Sequence, residues 1–71
     1  MIEVDARGLR CPWPVLRLAR AMRDASAVRI TADDPAAARE IAALARERDW
    51  RLKDEGGAWI VSRSGPTVTI A

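Results

Sequence analysis

Apolar and polar positions alternate at the start of the chain: Ile2-Glu3-Val4-Asp5-Ala6 has the period of two of a half-buried β-strand. Past Pro14 the period changes. Val15, Leu18, Ala19 and Met22 fall at i, i+3, i+4 and i+7, one face of a helix running to about Ala25, while Arg17, Arg20, Arg23 and Asp24 lie toward water. Gly8, between strand and helix, permits a sharp turn. Val28-Arg29-Ile30-Thr31-Ala32 is alternating and rich in β-branched residues, which predicts a second strand. Asp33-Asp34-Pro35 then predicts a helix start, an Asp N-cap followed by Pro at the first helical position, where its missing N–H costs nothing. That helix is expected to reach about Asp49 and to bury Ala38, Ile41, Ala42 and Ala45. Trp50–Asp54 and Ala58–Arg63 read as strands, and the Glu55-Gly56-Gly57 link between them is a hairpin signal.

The predicted order is β-α-β-α-β-β, an α/β chain of the α+β two-layer type with both helices on one face of the sheet. No repeat, linker or low-complexity tract interrupts it, so residues 1–71 are expected to form a single domain. Thr67-Val68-Thr69-Ile70 reads equally as a short fifth strand or an ordered tail. Trp59, Ile60 and Val61 are consecutive, so apolar groups must point to both sheet faces; either a chain end packs over them or they form a docking patch.

Length limits the chemistry. A chain of 71 residues hides only about 60% of its unfolded surface, so no enclosed substrate chamber fits inside it. The 31% charged and 49% hydrophobic content suits a soluble globular domain. The sequence holds no His and a single Cys, which excludes an internal Cys–His pair, a disulfide and the common zinc sites; no metal or cofactor is expected. The acidic start lacks the basic and apolar regions of a signal peptide, and the longest apolar run, Ile41–Ala45, falls far short of the ~20 residues that span a bilayer. A cytoplasmic protein without membrane attachment is expected. Net charge is +2, too little to imply a direct nucleic-acid partner, but it is unevenly spread. Residues 1–32 hold six Arg against three acids, and Arg7, Arg10, Arg17, Arg20 and Arg23 surround the sole cysteine, Cys11.

A lone cysteine in such a domain is more often buried filler than a reactive group. Three features reverse that expectation here: the strand-to-helix turn, the flanking Pro12 and Pro14, and the basic field. A residue before proline avoids the helical region, so Cys11 is expected to be extended, with its sulfur at the mouth of a helix starting near Pro12–Pro14. Helix N-termini and nearby cations lower thiol pKa values. Two of the first-turn donors are missing because prolines occupy them, so a moderate activation is expected, shared between the helix end and Arg7 or Arg10. The prolines add stiffness that holds the thiol out for partners.

Asp5-x-x-Gly8-x-x-Cys11-Pro12-x-Pro14, followed by the amphipathic helix and Ala32-Asp33-Asp34-Pro35-Ala36, resembles the TusA/SirA-like family of small sulfur carriers over roughly residues 2–63. The resemblance implies a two-layer β-α-β-α-β-β sandwich with a mixed four-stranded sheet, and an activity of sulfur transfer. It implies that Cys11 accepts a sulfane sulfur as a persulfide from a donor such as a cysteine desulfurase or a rhodanese. An acceptor protein then takes it, in a relay feeding tRNA thiolation, molybdenum-cofactor synthesis or sulfur oxidation. In that reading Asp5 and Gly8 shape the approach, Pro12 and Pro14 fix the thiol, and Arg10, Trp13, Arg17 and Arg20 meet partners in transient complexes of a monomer. Trp13 departs from the family, standing where Glu is common, and Thr67–Ala71 extends beyond the usual end.

Two readings from other classes remain beside it. An interaction module with an inert cysteine would leave Cys11 unreactive toward alkylation. An RNA-binding module using Trp13, Trp50, Trp59 and the arginines would show salt-dependent RNA affinity that survives Cys11→Ser. Asp33 and Asp34 have the composition of an acid–base pair, but a helix cap accounts for them.

Overall fold

The strands and helices follow the predicted order: β1 (Ile2–Asp5), α1 (Trp13–Asp24), β2 (Ala27–Thr31), α2 (Ala37–Arg48), β3 (Trp50–Asp54) and β4 (Ala58–Arg63). The computed structural model describes residues 1–63, so Thr67–Ile70 lies outside the described residues. The strands form one mixed sheet in the order β1-β2-β4-β3. β1 runs parallel to β2 with Val4 opposite Ile30, and β4 runs antiparallel to both β2 and β3. β2 and β3 are therefore parallel to each other across β4. Each helix connects two parallel strands, and both crossovers move the same way along the sheet. Right-handed crossovers of that kind place both helices on one face.

The core lies between that face and the helices. Val28 and Ile30 of β2 and Val61 of β4 are fully buried, and they pack with Leu18 and Met22 of α1 and Ile41 of α2. Removing a side chain such as Leu18 from a core this thin costs about 2–5 kcal/mol. On α2 the buried stripe is Ala37, Ile41 and Ala45, while Ala38 is exposed and Ala42 half-buried. The expected phase was one residue off at the first turn, because a run of alanines carries little contrast between faces.

The uncovered face shows how the three consecutive apolar residues of β4 divide, and the chain end that could cover it lies outside the described residues. Its central row runs Glu3, Arg29, Ile60, Lys53 across the sheet, with Arg29 paired to Glu55 at 3.4 Å. Trp59 and Val61 both face the helices and are buried, which leaves Ile60 alone and half-buried on the open side. No apolar docking patch forms there among the described residues. The hairpin closes as its glycines require: Glu55 N–H donates to the Ala58 carbonyl at 2.8 Å, and Gly56 and Gly57 take φ of 70° and 92°, the positive values of a type I′ turn.

Candidate functional site around Cys11

Topology decides which loops meet. β1 and β2 are parallel and each leads into a helix, so the β1–α1 and β2–α2 loops emerge side by side at the carboxyl ends of the strands, the usual position for a site in an open α/β sheet. Cys11 lies in the first loop, Asp33 and Asp34 in the second. Gly8 N–H donates to Asp33 Oδ1 at 2.9 Å, and Cys11 N–H donates to Asp34 Oδ2 at 2.7 Å. Gly8 sits at φ 83°, where a Cβ would strain the backbone, so glycine is what lets the loop turn toward Asp33.

The aspartates are therefore not the expected helix cap: the N-cap of α2 is Ala36, with no side-chain cap, and Asp33 and Asp34 bind the cysteine loop instead. Regular α2 starts at Ala37, two residues later than Pro35, and Asp34 Oδ1 accepts the Ala36 N–H of the entry turn at 3.3 Å. One carboxylate braces its own loop two residues on with one oxygen and holds the cysteine amide with the other.

Cys11 itself lies in a turn. Trp13 N–H donates to the Arg10 carbonyl at 2.8 Å, closing a four-residue turn whose third residue, Pro12, follows a cis peptide bond. α1 begins at Trp13 with Pro12 as its N-cap, and Pro14 is fully buried beneath it. Pro12 is exposed and Pro14 anchors the helix, so the two prolines have different neighbours. The helix mouth offers the sulfur little. Trp13 N–H is used inside the turn, and Pro12 and Pro14 have none to give.

The side chain of Cys11 is exposed, and its thiol donates to Glu40 Oε2 at 2.6 Å. Glu40 stands in the first turn of α2, half-buried. This contact reverses the expected activation. The hydrogen bond to Glu40 pushes the Cys11 pKa above its ordinary value, followed by desolvation and by the negative charges of Glu40 and Asp34, and the Arg39 guanidinium opposes them. Arg7 is not directed at the sulfur. It grips Asp5 at the end of β1 through two hydrogen bonds of 2.9 and 3.0 Å, with its own N–H on Asp5 Oδ1 at 3.1 Å. That grip lowers the Asp5 carboxyl to about 2.

Glu40 and Arg39 were not singled out by the sequence reading. Their signal was their place: the first turn of the helix that follows Asp33-Asp34, in a topology that brings that turn beside the cysteine loop. Of the expected docking residues, Trp13, Arg17 and Arg20 line one groove of about 630 Å³ between α1 and β1, together with Ile2, Val4 and Leu16. Trp13, Leu16 and Ile2 are 58%, 49% and 38% exposed, an apolar strip starting two residues from Cys11. Arg10 stands apart, over a smaller hollow shared with Gly8 and Asp33–Pro35. The tryptophans form no common platform: Trp59 is buried in the core, and Trp50 is half-buried with the Arg48 guanidinium 5.7 Å from its ring centroid.

No cluster of three or more metal-ligating side chains occurs among the described residues, and none of their helices is long and apolar enough to cross a membrane. A family model described as sulfurtransferase TusA matches residues 2–62.

Proposed function

Because the chain belongs to the TusA family of sulfurtransferases, we propose that it carries sulfur as a persulfide on Cys11 and relays it between proteins. The observation that carries this reading is the placement of the sole thiol. Cys11 is exposed on a turn at the carboxyl ends of two parallel strands, with its amide fixed by Asp34 and the following helix anchored by buried Pro14. A carrier needs an atom that protrudes and does not wander, and this turn answers both needs.

Loading is a sulfur exchange. Cys11 Sγ bonds to the outer sulfur of a donor persulfide, the donor's S–S bond breaks, and the donor sulfur leaves as a thiol. Unloading is the same exchange run toward an acceptor thiol. One persulfide and one thiol enter each step and one of each leaves, so no external oxidant or reductant is consumed. Asp5 and Gly8 shape the loop, Pro12 and Pro14 hold the thiol, and Trp13, Arg17 and Arg20 present an apolar and basic face beside it. Arg10 serves the approach from the opposite side. The donor is a protein that generates a persulfide, such as a cysteine desulfurase or a rhodanese, and complexes with it are transient. Destinations of the relayed sulfur in keeping with this reading are tRNA thiolation, molybdenum-cofactor synthesis and sulfur oxidation.

Incubation with a cysteine desulfurase and cysteine, or with a persulfidated rhodanese, is expected to add one sulfur atom to Cys11, read by intact-mass spectrometry and reversed by dithiothreitol. Cys11→Ser is expected to take up none. Wild-type protein that gains no sulfur while a proven carrier is loaded in parallel overturns the reading.

A further inference from the structure

A carrier that acted only as a thiolate nucleophile would surround its sulfur with cations and amide donors. Cys11 has the opposite setting. The groups that face Sγ are Glu40 and Arg39 from α2 and Asp34 from the preceding loop, two carboxylates against one guanidinium. The nearest of them, Glu40, touches the sulfur itself at 2.6 Å and sits 29 residues away in sequence. A carboxylate there opposes ionisation of the thiol. What it supplies in return is an oxygen, in hydrogen-bond contact with the reacting atom, that can hold a proton.

We propose that Glu40 is a catalytic proton shuttle for sulfur exchange at Cys11. This rests on the reading of Cys11 as the sulfur-carrying residue. In loading, the Sγ–H proton passes to Glu40 Oε2 as Sγ bonds to the outer sulfur of the donor persulfide. The electron pair of the broken S–S bond stays on the donor sulfur, and Glu40 delivers the proton to that departing thiolate. In unloading, the acceptor thiol gives its proton to Glu40, which returns it to Sγ as the persulfide bond breaks. The carboxylate ends each exchange in the state in which it began. Half-burial keeps Glu40 at the surface, on the side from which a partner's sulfur must approach Sγ.

The shuttle separates two reactions of the same thiol. Alkylation by iodoacetamide expels iodide, which needs no proton, so its rate follows the thiolate population alone. Sulfur exchange expels a thiolate, a far stronger base than iodide, whose departure a proton assists. Removing the carboxylate therefore drives the two rates in opposite directions. In Glu40→Gln and in Glu40→Ala, alkylation of Cys11 near neutral pH is expected to speed up several-fold, because the main group holding the proton is gone. Loading from a persulfidated donor is expected to slow by on the order of a hundredfold, the low end of what a positioned acid–base group contributes.

The test compares both rates, for wild type and both variants, with each fold verified by circular dichroism and thermal melting. Opposite shifts support the shuttle. Loading that accelerates in step with alkylation overturns it and leaves Glu40 as an electrostatic brake; loading that is unchanged overturns it as well. Failure of the carrier reading itself looks different: wild-type Cys11 then takes no sulfur at all, whatever the residue at position 40.

Discussion

The amide of Cys11 donates to Oδ2 of Asp34 at 2.7 Å, a bond that joins two loops across 23 residues of sequence. With Gly8 on Asp33 at 2.9 Å, it makes the β2–α2 loop a latch for the cysteine loop. Parallel pairing of β1 with β2 brings the latch into range, and the acidic side chains then meet amides that no strand or helix uses.

Asp34→Ala is expected to destabilise the fold by about 1.5–2 kcal/mol, the lower part of the range for hydrogen bonds to charged groups, since the site is partly solvated. Asp34→Asn, which keeps an acceptor oxygen, is expected to lose less. Urea unfolding measures both. Equal stability in Asp34→Ala and wild type means that the latch contributes nothing.

Cys11 should ionise late. Its pKa is raised above the unfolded value, chiefly by the bond to Glu40. The sign follows from linkage: the neutral thiol is favoured by folding, so this contribution is present at neutral pH and is lost as pH climbs through the folded-state value. The rate of iodoacetamide alkylation against pH is expected to rise later for the folded protein than for the urea-unfolded chain. A folded-state midpoint below the unfolded one contradicts the Glu40 contact. Because the side chain is exposed, Cys11→Ser should change stability by under about 0.5 kcal/mol.

Asp5 titrates in the other direction. Its carboxyl is held at about 2 against an ordinary 3.8, first by the side-chain hydrogen bond from Arg7. A depressed carboxylate stabilises the fold above the unfolded pKa and loses that contribution as pH falls from near 3.8 through about 2. Carbonyl-carbon NMR is expected to follow Asp5 to that low midpoint, and Arg7→Gln is expected to return it toward the ordinary value. An unchanged midpoint in Arg7→Gln shows that the pair does not form in solution.

The fold was legible because its elements carry unlike periods: two along Ile2–Ala6 and Val28–Ala32, then three and four along Val15–Met22. The Gly56-Gly57 pair marked the hairpin, since positive φ at both positions is open mainly to glycine. The phase of α2 was less legible, for alanines at 36, 37, 38, 42, 43 and 45 differ only in where they point. At the site, composition identified Cys11 and the one-sided arginines, but a count of charges along the chain is not a map of charges around an atom. Arg7 is near Cys11 in sequence and is committed to Asp5, whereas Glu40 is remote in sequence and in contact. The apolar strip was half legible: Leu16 lies off the buried stripe of α1 and three residues from Trp13, which is one turn along the exposed face.

That strip bears on how partners reach the thiol. Trp13, Leu16 and Ile2 form an exposed apolar line beside Cys11, and Arg17 and Arg20 line the same groove. Exposed charges act mainly on the encounter rate and are screened over about 8 Å at physiological salt, whereas apolar contact acts on residence time. Arg17→Glu with Arg20→Glu is therefore expected to slow sulfur transfer at low salt and to remove most of its salt dependence. The same double variant should leave iodoacetamide alkylation of Cys11 nearly unchanged, because neither arginine is among the groups that set the thiol's ionisation. Trp13→Ala should weaken transfer at every salt concentration. Transfer rates against ionic strength decide between docking and a merely solvated helix face. Coincident curves for wild type and the double reversal would show that the arginines face only water, and a Trp13→Ala curve on the wild-type line would remove the apolar strip from the docking surface as well.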